Sequence, residues 1–197
     1  AVSPTYAKEI LTPEYGENMD YTLRGVQYKL RGILNGIDYT VFNPKKDKAL
    51  AKNYDVKSLD KKEENKKAVC KFFGIKYNPD RPLIALISRL VDQKGIDLIR
   101  DMQYELQKLD ADFIFMGNSY ENLFIWLSNN TPNIRTFVGY DAKLANLIYA
   151  GSDFFLMPSK FEPCGLSQLI AMRYGSLPIV RATGGLEDTV TGYPLDN

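Results

Sequence analysis

From Arg81 onward the chain repeats a single alternation. Short runs that are apolar on both faces give way to segments with apolar residues at helical spacing. R-P-L-I-A-L-I-S leads into G-I-D-L-I-R-D-M-Q-Y-E-L, whose Ile96, Ile99, Met102 and Leu106 share one helical face. D-F-I-F-M-G, I-R-T-F-V-G, D-F-F-L-M-P and L-P-I-V-R repeat the first kind of run. Y-E-N-L-F-I-W-L, A-K-L-A-N-L-I-Y-A and G-L-S-Q-L-I-A-M-R-Y-G are the helical segments between them, the last ending at a glycine cap. Strands buried on both faces, separated by helices of roughly 8–14 residues, belong to a parallel sheet covered on both sides. The expected class is α/β, with an open, doubly wound sheet. A closed barrel needs more units than the chain contains.

The part before Arg81 reads differently. K-S-L-D-K-K-E-E-N-K-K-A-V-C-K-F-F-G-I is a polar loop running into an exposed helix that Gly74 ends, with its charges on a solvated face. L-R-G-I-L-N-G-I-D suggests a strand and then a turn at Asn35-Gly36. Residues 1–30 make no complete unit, and the opening A-V-S-P-T-Y-A-K-E-I is strand-like at first, with neither an initiator Met nor a signal-peptide pattern. A piece of a longer chain is expected.

Composition removes several classes of function. Among 197 residues, Lys plus Arg number 25 and Asp plus Glu 24, so bulk charge gives no reason to expect nucleic acid or an anionic membrane as partner. There is no histidine, which excludes a histidine base, a histidine triad and any histidine metal ligand; no metal is expected. The two cysteines, Cys70 and Cys164, form no C-x-x-C, so a reducing cytoplasm is the default expectation. No apolar run approaches the roughly 20 residues of a membrane span.

In open α/β sheets, ligands bind at the carboxyl ends of the strands, so chemistry is sought there. S-R-L-V-D-Q-K-G carries Arg89 and Lys94 before a helix start at Gly95. An arginine fork, a lysine point charge and a helix dipole suit a diphosphate. Spacing alone leaves open a pair of surface charges, one of them bonded to Asp92. S-K-F-E-P-C-G-L-S puts Glu162 before a tight turn and leaves the N–H groups of Gly165, Leu166 and Ser167 at a helix start. Here the alternative is an acid that merely favours the helix dipole. Cys164 has no histidine to activate it as a nucleophile. A-T-G-G-L-E-D-T-V places Gly184 and Gly185 before another helix, suited to close backbone approach to a ligand or to an ordinary turn. Neither G-x-G-x-x-G nor G-x-x-x-x-G-K-[ST] is present.

These blocks together resemble a known family. S-P-T-Y-A-K-E-I, G-I-L-N-G-I-D, S-R-L-V-D-Q-K-G-I-D-L-I, P-S-K-F-E-P-C-G-L-S-Q-L, A-M-R-Y-G-S-L-P-I-V-R and T-G-G-L-E-D-T-V are similar to bacterial glycogen synthases and plant starch synthases, in order over nearly the whole chain. The resemblance implies the GT-B fold, two Rossmann-like domains facing a cleft. It also implies transfer of glucose from ADP-glucose to the non-reducing end of an α-1,4-glucan, with retention and without a metal or separate cofactor. Residues 1–30 would be a remnant of the N-terminal domain, and 31–197 the nucleotide-sugar-binding domain, truncated at its end. The missing N-terminal domain would be a partner, with ADP-glucose or ADP and the glucan, in the cytoplasm, or in a plastid if the source is a plant.

The resemblance further implies residue roles. Arg89 and Lys94 would bind the donor diphosphate, and Glu162 would be the family's essential acid beside the transferred glucose. Gly165, Leu166 and Ser167 would hold sugar hydroxyls and phosphate. Tyr140, otherwise an ordinary loop aromatic, would stack on adenine. Gly184 and Gly185 would line the sugar–phosphate pocket, and Asn35 would lie near the domain hinge. Departures from the family are Ser119 in M-G-N-S-Y-E-N where a second Gly is usual, Phe42 where Trp is usual, and the absence of the K-x-G-G-L loop and the N-terminal-domain histidine. By itself the chain is expected to bind nucleotide weakly and to transfer little or no glucose. A non-catalytic nucleotide- or glucan-binding module and a UDP-sugar transferase are the rival readings.

Overall fold

The computed structural model describes residues 1–192. Five strands, β1 (Leu83–Ile87), β2 (Asp112–Gly117), β3 (Ile134–Val138), β4 (Phe154–Met157) and β5 (Leu177–Val180), form one sheet in the order β3-β2-β1-β4-β5. Every pairing is parallel. The order reverses between β1 and β4, which makes the gap beyond their carboxyl ends the expected ligand crevice.

The apolar runs become strands because both their faces are covered. Ala85 and Ile87 of β1 and Ile114 and Met116 of β2 enter one core, and Leu86, Phe113 and Phe115 enter the other. This is the period-2 alternation of a pleated strand with a core on each side. Helices α3 (Lys62–Phe73), α7 (Ala142–Gly151) and α8 (Ser167–Arg173) cover the first face, and α4 (Ile96–Asp101), α5 (Gln103–Lys108) and α6 (Glu121–Asn130) lie on the second. β5 is an edge strand, which tolerates Pro178 because its outer side needs no ladder donor. Two short helices precede these, α1 (Pro4–Glu9) and α2 (Asp20–Gly25), and α9 (Gly184–Thr189) follows β5. Among the described residues no helix is long and apolar enough to cross a membrane.

Three expectations change. Leu30–Asp38 forms no strand and no Asn35-Gly36 turn; it runs as irregular chain. Its backbone bonds to a distant part of the chain only at Ala1 among the described residues, through Ala1 N–H to Arg31 O at 2.7 Å and Ile33 N–H to Ala1 O at 3.0 Å, too little for a ladder. The helix expected across Ile96–Leu106 is two helices, broken at Met102, whose ψ is 8°. Met102 is exposed while Ile96 and Ile99 are buried, so the core anchors the first of them firmly and the second only through the partly buried Leu106. The charged helix α3 ends at Gly74 in the left-handed region, as expected, but it is not merely a solvated face. Its Asn65, Lys66, Val69 and Cys70 are buried against the rest of the domain.

Candidate active site

Two loops meet at the crevice. The β1 loop turns through Gly95, whose φ is 74°, and a Cβ there would sit 2.2 Å from the Pro158 carbonyl oxygen after β4. Glycine therefore lets the β1 and β4 loops touch. That contact brings Lys94 to Glu162. Lys94 Nζ donates to Glu162 Oε2 at 2.5 Å, and Ser159 Oγ donates to the same oxygen at 3.1 Å. Glu162 is 6% exposed. A buried pair is held by mutual attraction against a large desolvation cost, so removing either partner strands a charge.

Arg89 stands apart. It is exposed and takes part in no ion pair among the described residues. Asp92 is bonded to Tyr120, whose hydroxyl donates to Oδ1 at 2.6 Å, so the alternative of an Asp92 pairing with Arg89 or Lys94 is not realised. Arg89, Tyr140 and Ser167 line one cleft of about 320 Å³ with the ends of β1 and β2. Its size is at the small end of the roughly 300–1,000 Å³ of ligand clefts. Lys94 and Glu162 lie outside that lining, where the β1–α4 and β4–α8 connections meet.

At the start of α8, Gly165 has φ 71°, and the N–H groups of Gly165, Leu166 and Ser167 have no hydrogen-bond partner among the described residues. The Gly184 and Gly185 N–H groups are used within the protein: they donate to Glu9 Oε1 and to the Glu162 carbonyl, each at 2.9 Å. Asn35 is exposed on the irregular segment and does not line the cleft.

Sequence reasoning overlooked two cleft residues on α7, Asn146 and Tyr149. An Asn–Tyr pair at i,i+3 in a mostly apolar helix was the available signal. Asn146 is fixed by Asp47, whose Oδ2 accepts from Asn146 Nδ2 at 2.9 Å and from the Tyr174 hydroxyl. Burial pushes the Tyr149 phenol well above its ordinary value, so it faces the cleft as a neutral hydroxyl. Ser119, which replaces the usual glycine, has φ 77°, a left-handed conformation that costs a side chain roughly 1–2 kcal/mol.

A family described as glycosyl transferases group 1 matches residues 81–196. A glycogen synthase of Exiguobacterium sibiricum is 54% identical over 98% of the chain, and one of Clostridium botulinum is 50% identical over 98%. The chain belongs to the glycogen synthase family. It spans about 41% of the length of these relatives. The catalytic domain of starch synthase IV from Arabidopsis thaliana, solved bound to ADP and acarbose, superposes with a TM-score of 0.90 at 43% identity, covering 100% of this chain and 41% of that one. The match extends the glycogen synthase resemblance from sequence to fold and places the sheet within the GT-B architecture.

Proposed function

We propose that this chain carries the donor-binding half of a glycosyltransferase that moves glucose from ADP-glucose to the non-reducing end of an α-1,4-glucan with retention. The observation that carries the reading is the crevice itself. An uncommitted arginine, a Lys94–Glu162 pair and the free N–H groups before α8 all stand at the carboxyl ends of β1 and β4. Those groups suit a diphosphate with a sugar beyond it. The cleft next to Arg89 and Tyr140 would take the adenosine, with the Tyr140 ring on the base. Arg89 and the α8 N–H groups would hold the phosphates, with Lys94 beside them and Glu162 toward the glucose. ADP in the related starch synthase structure supports the choice of nucleotide. We further read residues 1–30 as part of the facing domain, and 31–197 as the domain that binds the nucleotide sugar, with no metal or other cofactor.

Charge decides where the stabilisation comes from. The bond from glucose C1 to the phosphate oxygen breaks, and negative charge collects on the departing ADP. Fixed cations and N–H dipoles are worth most at that point. A double displacement needs a carboxylate nucleophile and a second carboxyl group as acid/base. Asp92 and Asp141 on the neighbouring loops and Asp97 in the first turn of α4 are already bonded, to Tyr120, the Leu144 N–H and Lys160. The reading is therefore departure and attack on one face: the glucan hydroxyl attacks C1 and its proton passes to the leaving phosphate. A glucosyl–Glu162 adduct trapped and seen by mass spectrometry would overturn this mechanism.

Calorimetric titration of the chain with ADP and with UDP tests the donor. Tighter binding of ADP is the expected result. Equal affinity removes the basis for the adenine site at Tyr140, and tighter binding of UDP favours a UDP-sugar transferase.

A further inference from the structure

The first ten residues are fastened to the turn that carries Glu162. Ser3 is fully buried and acts twice: its Oγ accepts from the Tyr6 N–H at 3.2 Å as the cap of α1, and donates to the Pro163 carbonyl at 2.6 Å. At the other end of α1, Glu9 Oε1 accepts from the Gly184 N–H at 2.9 Å and the Thr183 hydroxyl at 3.0 Å. The next N–H, of Gly185, donates to the Glu162 carbonyl at 2.9 Å. A Cβ at Gly184 would meet that carbonyl oxygen at 2.0 Å, and one at Gly185 would meet the Cys164 oxygen at 2.2 Å. The double glycine thus presses α9 onto the backbone of the 162–164 turn. In return Asp188 of α9 accepts from both the Thr5 N–H at 2.8 Å and the Thr5 hydroxyl at 2.7 Å, capping α1.

The two helices cap one another, and the 162–164 turn is gripped from both sides of that pair. We infer that Glu9 and Ser3 are positioning residues for Glu162: Glu9 acts through Gly184 and Gly185 on the Glu162 carbonyl, and Ser3 acts on the Pro163 carbonyl. Thr5 and Asp188 fasten the pair without touching the turn. This inference rests on the proposed role of Glu162 and deepens it. A carboxylate that must face a transferred sugar within a fraction of an ångström needs such a support, because misplacement by about 1 Å costs on the order of 100-fold in rate.

Cys164, 4% exposed inside the turn, reports on the clamp without any need for activity. Its alkylation by iodoacetamide, resolved from that of Cys70 by peptide mass, should speed up at least tenfold in Glu9→Ala and Ser3→Ala. It should stay slow in Glu9→Gln, which keeps the accepting oxygen, and in Thr5→Ala, which lowers thermal stability only. In the full-length enzyme Glu9→Ala should lower kcat at least tenfold with KM for ADP-glucose within twofold, and Glu9→Gln should restore kcat. Should Glu9→Ala fail to fold, Ser3→Ala carries the same test. Slow Cys164 labelling in the alanine variants, or equal labelling in Thr5→Ala, overturns the clamp. If the parent enzyme transfers nothing from ADP-glucose, the donor reading fails, while the labelling result still decides the clamp.

Discussion

At the amino ends of the strands the cations are paired off. Lys66 bonds Asp153 at 2.8 Å and the Arg81 carbonyl, Arg81 meets Asp110 and Asp112, and Lys62 donates to the Ala150 and Ser152 carbonyls, both at 2.6 Å. At the carboxyl ends Arg89 has no acid, and the N–H groups before α8 have no acceptor among the described residues. The same sheet therefore has one end whose cations are spent on holding the fold together, and one end where Arg89 stays uncommitted beside the Lys94–Glu162 pair. The lesson is about how to read a basic residue: a cation with a local acid or carbonyl contributes to stability, and one left facing a crevice is available to a ligand.

Substitutions can break that contrast. The largest effect is expected from Arg89→Ala, which should lower kcat/KM for ADP-glucose in the full-length enzyme about 10²–10³-fold, as loss of a charge-stabilising donor does. Thermal unfolding should be unchanged; a large drop in melting temperature would make Arg89 structural and dissolve the contrast. Lys66→Met should do the reverse. It strands Asp153, and the expected loss is about 2–3 kcal/mol in urea unfolding, below the roughly 3–5 kcal/mol of a fully buried pair. The discount reflects the Asp153 side chain, which is 37% exposed. Nucleotide affinity should not move.

Lys62 sharpens the same comparison through pH. Burial lowers its ammonium from the ordinary 10.5 to about 8. Between those values the unfolded chain binds the proton and the folded one releases it, so the stability linked to Lys62 rises as pH rises from 8 to 10.5. The gain is at most about 3 kcal/mol, since the two carbonyl bonds favour the ammonium and offset part of the desolvation. Chemical denaturation across that range should show the rise in the parent and not in Lys62→Met. The smallest effect belongs to Ser119→Gly at the ligand end. Relief of the left-handed strain, roughly 1–2 kcal/mol, is offset by the roughly 0.5–1 kcal/mol entropic cost of glycine, leaving a net gain of about 0.5 kcal/mol. A loss of stability on this substitution would mean that the loop does not hold Ser119 in that conformation.

The strands were legible because each is a local pattern: β2 is buried at all six positions, and D-F-I-F-M-G is apolar enough to show it. The helix Ala142–Gly151 was legible for the same reason, with Asp141 capping it by accepting from the Leu144 N–H at 2.8 Å. Leu30–Asp38 misled because its apolar residues look like a strand, while a strand exists only where a neighbour supplies the ladder. In the site, Arg89 and Glu162 stood out as charges beside turn residues. Asn146 and Tyr149 did not, since a polar residue on a helix gains meaning only from what its face meets.

By itself the sequence determined the alternation of strand and helix, the α/β class, the positions of the helix-ending glycines Gly74 and Gly175, and the family. All of these are written in residue types within a few positions of one another, where pleat and helix periods operate. The tertiary structure alone decided the order β3-β2-β1-β4-β5 and with it the crevice between β1 and β4. It alone joined Lys94 to Glu162 across 68 residues, and Glu9 to Gly184 across 175. Such contacts depend on how the chain closes on itself, and no local period records them.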